Sequence, residues 1–381
     1  MKILIIMRGY FPGQKYGGPP VSVDNFCSLM KEHSCYVVTH NHDLLSKQPY
    51  PNIHRGWNDR GNCKVLYLCD KQYNKVAFEK IITKLSPDVL YLQSVFESCV
   101  LPILQIAKKH NIRVLLAPRG ELCKGAFNMK KYKKLPYIKL LRIMGLIKNV
   151  HFQSTSDEET EAINKLLDIP MSRIHRLDNI PSIPKRDYQR LEKSAGKGRF
   201  IFLSRIHPKK NLLGAIKYFS HVDSEVVFDI YGSIEDKSYW KECQEAIKAL
   251  PKNIKCEYKG LVPHDRVHEV FSQYDAFVFP TLSENYGHVI AEALASGCHL
   301  IVSKGTTPWD DVNENGGFAL SLKDEKAWPE AIDNISNMSD EEYTEFNQKL
   351  NEYIKNKLMN SSLIKSYLEF FSLGSIALST H

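Results

Sequence analysis

Residues 277–309 read FVFPTLSENYGHVIAEALASGCHLIVSKGTTPW. The stretch parses as strand, loop, helix, strand, loop. Ala276 to Phe279 is a short apolar run closed by Pro280, the pattern of a buried parallel strand. Thr281 to Asn285 is polar loop. From Tyr286 onward Val289, Ile290, Ala293 and Leu294 recur at helical spacing. Gly297 stands where a helix C-terminus needs a residue tolerant of positive φ. His299 to Ser303 is the next strand. Glu284 therefore sits in a loop at a strand's C-terminal edge, and Glu292 on the helix that follows. In an open α/β sheet that edge is where ligands bind. The backbone N–H groups at the helix start, around Tyr286 to Val289, suit an anion such as a phosphate.

Upstream, Arg199 to Leu203 (RFIFL) is a strand, followed by SRIHPKKNLLGAIKYF. Arg205 and Lys210 are two cations at that strand's C-terminal edge beside a helix start, an arrangement suited to a diphosphate. Val226–Gly232 and Ile254–Gly260 are further strands, the second ending in Gly260, Leu261 and Val262. Helix Asp265–Ser272 precedes the Ala276–Phe279 strand. Before this half lies Asp178 to Gly198, with Pro181, Pro184, Gly196 and Gly198, the best domain boundary. The expected domains are 1–185 and 186–360, with a C-terminal helix of about 361–381 returning to the first.

The first half alternates in the same way. Strands are expected at Ile3–Met7, Cys35–Thr39, Lys64–Leu68, Val89–Leu92, Arg113–Ala117, Val150–Ser154 and Ile174–Leu177. Helices are expected at Val21–Glu32, Lys75–Leu85, Val100–His110 and Asp157–Leu167, the last N-capped by Ser156. Strand–helix alternation implies a doubly wound α/β domain. The loop Arg8–Pro20 is glycine-rich and includes Gly17 and Gly18. Such a loop brings backbone close to phosphate or is only a tight turn. Gln93 and Ser94, and Arg119 and Glu121, lie at C-terminal strand ends. Arg119 either binds an acceptor or a phosphate, or is a surface arginine pairing with Glu121.

The chain has 381 residues, enough for two cores, with 43% apolar and 25% charged residues. No run approaches the ~18 apolar residues of a membrane span. MKILIIMRGYF reads as a first strand rather than a signal peptide. Nine dispersed cysteines without C-x-x-C pairs point to reduced thiols in a cytoplasmic protein. The formal charge is +8, and Cys123 to Val150 contains no acid. Its basic residues from Lys124 to Lys148 alternate with Phe127, Met129, Tyr132, Leu135 and Ile143. This suits an anionic membrane surface or a solvated face; no recognisable nucleic-acid module accompanies it, so no nucleic-acid partner is expected.

The tract Pro280, Ser283, Glu284, Tyr286, Gly287, Glu292, Ala293, Ala295 and Gly297 resembles the donor-site signature of family 4 of the retaining glycosyltransferases. That family has the GT-B fold, two Rossmann-like domains facing a cleft with a last helix crossing back. Arg205 and Lys210 resemble its second signature, which binds the donor diphosphate. The paired Gly17 and Gly18 look like its GG loop, which approaches the same diphosphate. Many members carry a histidine where this chain has Arg119. The resemblance implies retaining transfer from a nucleotide-diphosphate sugar; UDP is expected ahead of GDP, although no side chain readable in the sequence decides between them. Glu284 would hold the donor sugar's hydroxyls and Glu292 the ribose hydroxyls. Asn285, Tyr286, Gly287, His288 and Val289 would hold phosphate and sugar, and Val262 would lie along the base. Gln93, Ser94, Arg119 and Glu121 are acceptor-side candidates. No cofactor, metal or protein general base is expected. ENYGHVIAEAL, TPW and PRGEL resemble the branch of bacterial surface-polysaccharide assembly, whose acceptor is a glycan, commonly a sugar on a polyprenyl diphosphate. A peripheral position on the inner membrane face follows from that acceptor and the basic segment. The rival readings are a sugar-nucleotide epimerase, a sugar phosphorylase, or a non-catalytic nucleotide-sugar binder of the same fold.

Overall fold

The computed structural model describes residues 1–13, 15–44, 46–182, 184, 188–358 and 361–376. The expected boundary at residues 185 and 186, and the end of the chain at 377–381, lie outside the described residues. The chain forms two units, Met1–Ile180 with Ser361–His381, and Pro181–Asn360.

Unit 1 runs β1 (Lys2–Ile6), α1 (Gly18–Leu29), β2 (Ser34–His40), β3 (Trp57–Asp59), β4 (Lys64–Leu68), α2 (Lys75–Leu85), β5 (Val89–Leu92) and α3 (Val100–His110). It continues with β6 (Arg113–Leu116), α4 (Lys124–Asn128), α5 (Lys131–Ile143), β7 (His151–Ser154), α6 (Asp157–Leu167) and β8 (Ile174–Arg176). The sheet order is β3-β4-β2-β1-β5-β6-β7-β8. Every pairing is parallel except β3 with β4. The central strands are buried on both faces, as their unbroken apolar runs require. Helix α1 starts about one turn earlier than its apolar spacing suggests. Pro19 and Pro20 occupy its first turn, where the missing N–H and fixed φ fit, so the helix begins inside the glycine-rich loop. Ser156 caps α6 by accepting a hydrogen bond from Glu159 N–H. The short antiparallel β3 carries no alternating pattern and was not anticipated.

Unit 2 runs β9 (Lys197–Leu203), α7 (Leu212–Phe219), β10 (Glu225–Tyr231), α8 (Lys237–Lys248), β11 (Ile254–Gly260) and α9 (Val267–Phe271). Then follow β12 (Ala276–Phe279), α10 (His288–Ala295), β13 (His299–Ser303), β14 (Phe318–Leu320), α11 (Ala327–Asn337) and α12 (Asp340–Leu358). Its sheet is parallel throughout, in the order β11-β10-β9-β12-β13-β14. The strand order reverses beside β9 and β12, so the loops after these two neighbouring strands share one edge. That is the switch point where doubly wound sheets bind ligands.

The final helix, α13 (Ser361–Ile376), belongs to unit 1. Tyr367, Phe370 and Phe371 bury into the β1–β5 face, with Phe371 5.3 Å from the Phe26 ring. Arg113 stacks on Phe370 at 4.2 Å and donates to its carbonyl at 2.9 Å. Among the described residues no helix is long and apolar enough to cross a membrane.

Candidate functional site

In unit 2 the loop after β9 and the loop after β12 are laced together by backbone and side-chain bonds. Leu282 N–H donates to the Lys209 carbonyl at 2.9 Å, and Asn211 Nδ2 donates to the Pro280 carbonyl at 2.9 Å. Thr281 Oγ1 donates to the same Lys209 carbonyl. This lacing sets Lys210 against Glu284, seventy-four positions later, as a hydrogen-bonded ion pair. Lys210 is buried, and burial pulls its pKa down while Glu284 opposes the fall. Arg205 is more exposed and pairs with Glu235 at 2.9 and 3.1 Å. Both expected diphosphate cations are therefore charge-compensated by carboxylates. The spacing of Arg205 and Lys210 carried no sign of Glu235, which lies beyond β10.

The Glu284 loop is braced from beneath. Glu284 N–H donates to the Thr306 carbonyl at 2.7 Å, while Thr306 and Ser303 hydroxyls donate to the Thr281 carbonyl. Trp309, almost fully buried, donates its indole N–H to the Tyr286 carbonyl at 2.6 Å. The Tyr286 ring lies 5.6 Å from Trp309 and 4.9 Å from His288. Gly287 turns the chain into α10 with φ 76°; a Cβ there would lie 2.8 Å from Ile290 Cδ1 and 3.1 Å from Glu284 Cγ. Helix α10 thus begins at His288, slightly later than expected, and its positive end lies beside Glu284 and Lys210 with no acid in its first turn. Asn285 and Tyr286 lie in the loop; His288 and Val289 open the helix.

Glu292, one helical turn further on, is 5% exposed, and its Oε1 makes no hydrogen bond among the described residues. His264 Nδ1 lies 3.7 Å away. Burial raises the Glu292 carboxyl to about 8. An acid kept largely protonated in an apolar wall is costly unless something hydrogen-bonds it. His264 was missed by sequence reasoning; its only signal is its place two residues after Val262 in the β11 exit loop. Val262 itself is half-buried against the unit's core. At the β9–β10 contact Gly232 is obligatory: a Cβ would fall 1.7 Å from the Ser204 carbonyl oxygen.

In unit 1 the exits of β5 and β6 build a separate polar cluster. Arg119, at φ 56°, donates from Nε and Nη2 to Gln93 Oε1 at 2.9 and 2.6 Å. It also donates to Asn179 Oδ1 at 2.6 Å and Tyr91 Oη at 3.1 Å. Arg119 is thus neither a free surface arginine nor the partner of Glu121. Glu121 instead accepts from Ser94 Oγ at 2.8 and 2.9 Å and from Val95 N–H at 2.8 Å. Burial raises the Glu121 carboxyl, and neighbouring Glu97 rises to about 7, chiefly by burial and then by Glu121's charge. Asn179 and Glu97 were not anticipated. Gly17, at φ 72°, precedes α1, whose first residue is Gly18, and α1 joins this cluster through Ser22 Oγ, which donates to Asn179 Oδ1 at 3.2 Å.

Residues 185–357 match the family model of the glycosyl transferases group 1. The match falls within unit 2. An O-antigen chain mannosyltransferase, RfbU, of Salmonella typhimurium (strain LT2) is 26% identical over 207 residues, 54% of this chain and 56% of the relative. The chain spans about half the length of the curated relatives it matches. Among solved structures, sucrose-phosphate synthase from Thermosynechococcus elongatus superposes with a TM-score of 0.72 at 14% identity, covering 100% of both chains. HepE of Anabaena, solved with UDP and glucose, gives 0.72 at 13% identity over 98% of this chain and 99% of its own. The fold is GT-B, as the resemblance implied.

Proposed function

We propose that the protein is a retaining glycosyltransferase that moves a sugar from a nucleotide-diphosphate donor to a glycan acceptor during bacterial surface-polysaccharide synthesis. The observation that carries this reading is the β9–β12 edge of unit 2. There Lys210, Arg205, Glu284 and the start of α10 meet on laced loops. Negative charge grows on a nucleoside diphosphate as its glycosidic bond breaks. Lys210, Arg205 and the α10 dipole are preorganised to hold that charge. Glu284 exchanges Lys210 for hydroxyls of the donor sugar. Glu292, buried with an unsatisfied oxygen, accepts from the ribose hydroxyls. The departing phosphate takes the acceptor's proton, so no protein base is assigned, and the diphosphate is held by side-chain cations without a resident metal. UDP is favoured over GDP as the nucleotide.

Acceptor recognition falls to unit 1, with Gln93, Ser94, Arg119 and Glu121 as its polar determinants. A lipid-linked acceptor is supported by the basic segment. Met129, between α4 and α5, and Tyr132, Leu135, Leu140 and Ile143 on α5 are exposed among exposed lysines, while Ile138 and Leu141 hold α5 to the core. Such a face suits an anionic membrane surface, at roughly 1 kcal/mol per basic side chain. The relative RfbU, named for O-antigen chain synthesis, supports the same class of product.

The test is calorimetric titration of the chain, with chelator present, against UDP, GDP, ADP and their sugar conjugates. One base series should bind, and Arg205→Ala should abolish or strongly weaken that binding. Heat from none of the series would remove the donor-site reading.

A further inference from the structure

Strands β2 and β4 are parallel neighbours in register His40↔Leu68. Their C-terminal exits therefore lie side by side, and Asn41 N–H donates to the Leu68 carbonyl at 2.9 Å. This brings together His40, His42 and Asp70, whose ligand atoms all lie within 4.8 Å of one another. Asp70 Oδ1 is 2.8 Å from His42 Nε2 and 3.1 Å from His40 Nδ1. The His42 Nδ1 lies 3.0 Å from the Asp43 carbonyl oxygen, which can only accept, so that nitrogen carries the hydrogen. In the neutral ring Nε2 then presents its lone pair toward Asp70. His40 Nδ1 is buried without a well-directed hydrogen bond, and its ring stacks on Tyr73 at 3.9 Å.

Three possible ligand atoms thus lie within reach of one another. A proton placed there satisfies one pair of them; a cation satisfies all three. Donor atoms around tetrahedral zinc sit about 3.3 Å apart, given metal–nitrogen bonds of about 2.0–2.1 Å. The Asp43 carbonyl supplies the outer hydrogen bond that fixes a ligating imidazole's tautomer. We propose that His40 Nδ1, His42 Nε2 and Asp70 Oδ1 form a binding site for a divalent transition ion of the zinc class. The fourth position opens on the solvent side, where the Asp70 side chain is 64% exposed. The site lies wholly in unit 1 and stands independently of the donor reading for unit 2.

Cobalt(II) is the probe, because its visible absorption reports coordination geometry and its near-ultraviolet charge-transfer bands report thiolate ligands. The full chain is first dialysed against chelator, then titrated with cobalt chloride and back-titrated with zinc chloride. One cobalt per chain is expected, with tetrahedral-type bands, no thiolate bands, and displacement by zinc. Asp70→Asn and His42→Gln should each weaken binding by at least about tenfold. Asp70 is exposed, so its variant keeps the fold, which circular dichroism verifies. Absent visible bands, thiolate bands, or unchanged affinity in both variants would overturn the site. UDP titration of the same samples reports separately on unit 2.

Discussion

The pairing of Lys210 with Glu284 makes a sharp and unusual prediction for Glu284→Gln. Lys210 is 8% exposed; burial pulls its pKa down, and Glu284 opposes the fall. Breaking a buried pair by deleting one partner costs about 3–5 kcal/mol. Here both ends retain some solvent, 10% and 19% of their side chains, and glutamine still offers a hydrogen-bond acceptor. The cost to stability should therefore be about 1–2 kcal/mol. The same deficit is available to a diphosphate, which meets an uncompensated ammonium in the variant. One to two kcal/mol corresponds to about 5–30-fold in an equilibrium constant, so UDP should bind more tightly by up to that factor. Sugar transfer should nevertheless fall at least about 100-fold, the usual effect of deleting one group that acts on the reacting centre. Calorimetry gives the first quantity, and nucleotide release from the sugar donor gives the second. A tenfold loss of UDP affinity in Glu284→Gln would refute the reasoning, because the carboxylate would then be serving the nucleotide rather than competing with it.

Lys210→Ala should instead weaken UDP by at least about tenfold and abolish transfer, measured in the same two assays. Glu292 gives a pH signature. Its raised pKa, about 8, means the native state holds a proton that the unfolded state has released, so its contribution to stability falls as pH rises from ordinary carboxyl values through about 8. Melting curves between pH 6 and 9 should show this loss in the parent and not in Glu292→Gln. UDP affinity should rise over the same range if ribose hydroxyls donate to the ionised carboxylate; a flat profile would argue against that contact. Phe371→Ala should destabilise unit 1 by about 3–5 kcal/mol, read by chemical denaturation, since a fully buried ring is lost from the α13 interface. Vesicles rich in anionic lipid should retain the protein at low salt and release it at high salt. Replacing Lys130, Lys131 and Lys133 by glutamate should abolish retention, and unchanged sedimentation would reject the basic face as the contact.

The fold was legible because both sheets are buried and, apart from the edge strand β3, parallel. Apolar runs such as AFVF and VLYL end at polar loops, and helices such as Lys75–Leu85 and Val100–His110 begin and end where spacing and caps place them. The departures have local causes. Two prolines draw α1 back into the glycine loop, and Gly287 delays α10. The partners of the candidate residues were not legible. Asn179 meets Arg119 from sixty positions away, Glu235 meets Arg205 across β10, and Asp70 reaches His42 only through the β2–β4 register. Sequence spacing marks which residues share a strand exit. It does not mark which exits are neighbours, because that depends on strand order. The reading of Arg119 shows the consequence: Glu121, two residues away, was its nearest candidate partner in sequence, yet the β5–β6 adjacency gives Arg119 to Gln93 and Glu121 to Ser94.

That dependence on strand order also explains why the donor edge carries balanced rather than bare charge. A lysine and an arginine at one sheet edge, beside a helix start, would repel one another. Glu284 and Glu235 offset part of that repulsion. Ligand binding is then an exchange of one anion for another. Glu284 stays in the pocket, so an entering diphosphate meets less net positive charge than the two cations alone would present, and salt should weaken nucleotide binding only modestly. Deleting Glu284 turns the exchange into an addition, and the salt dependence of UDP binding should steepen in Glu284→Gln as its affinity rises. The two changes share one physical cause. An increase in affinity without a steeper salt dependence would mean that the glutamine relieves strain in the loop rather than freeing the charge of Lys210.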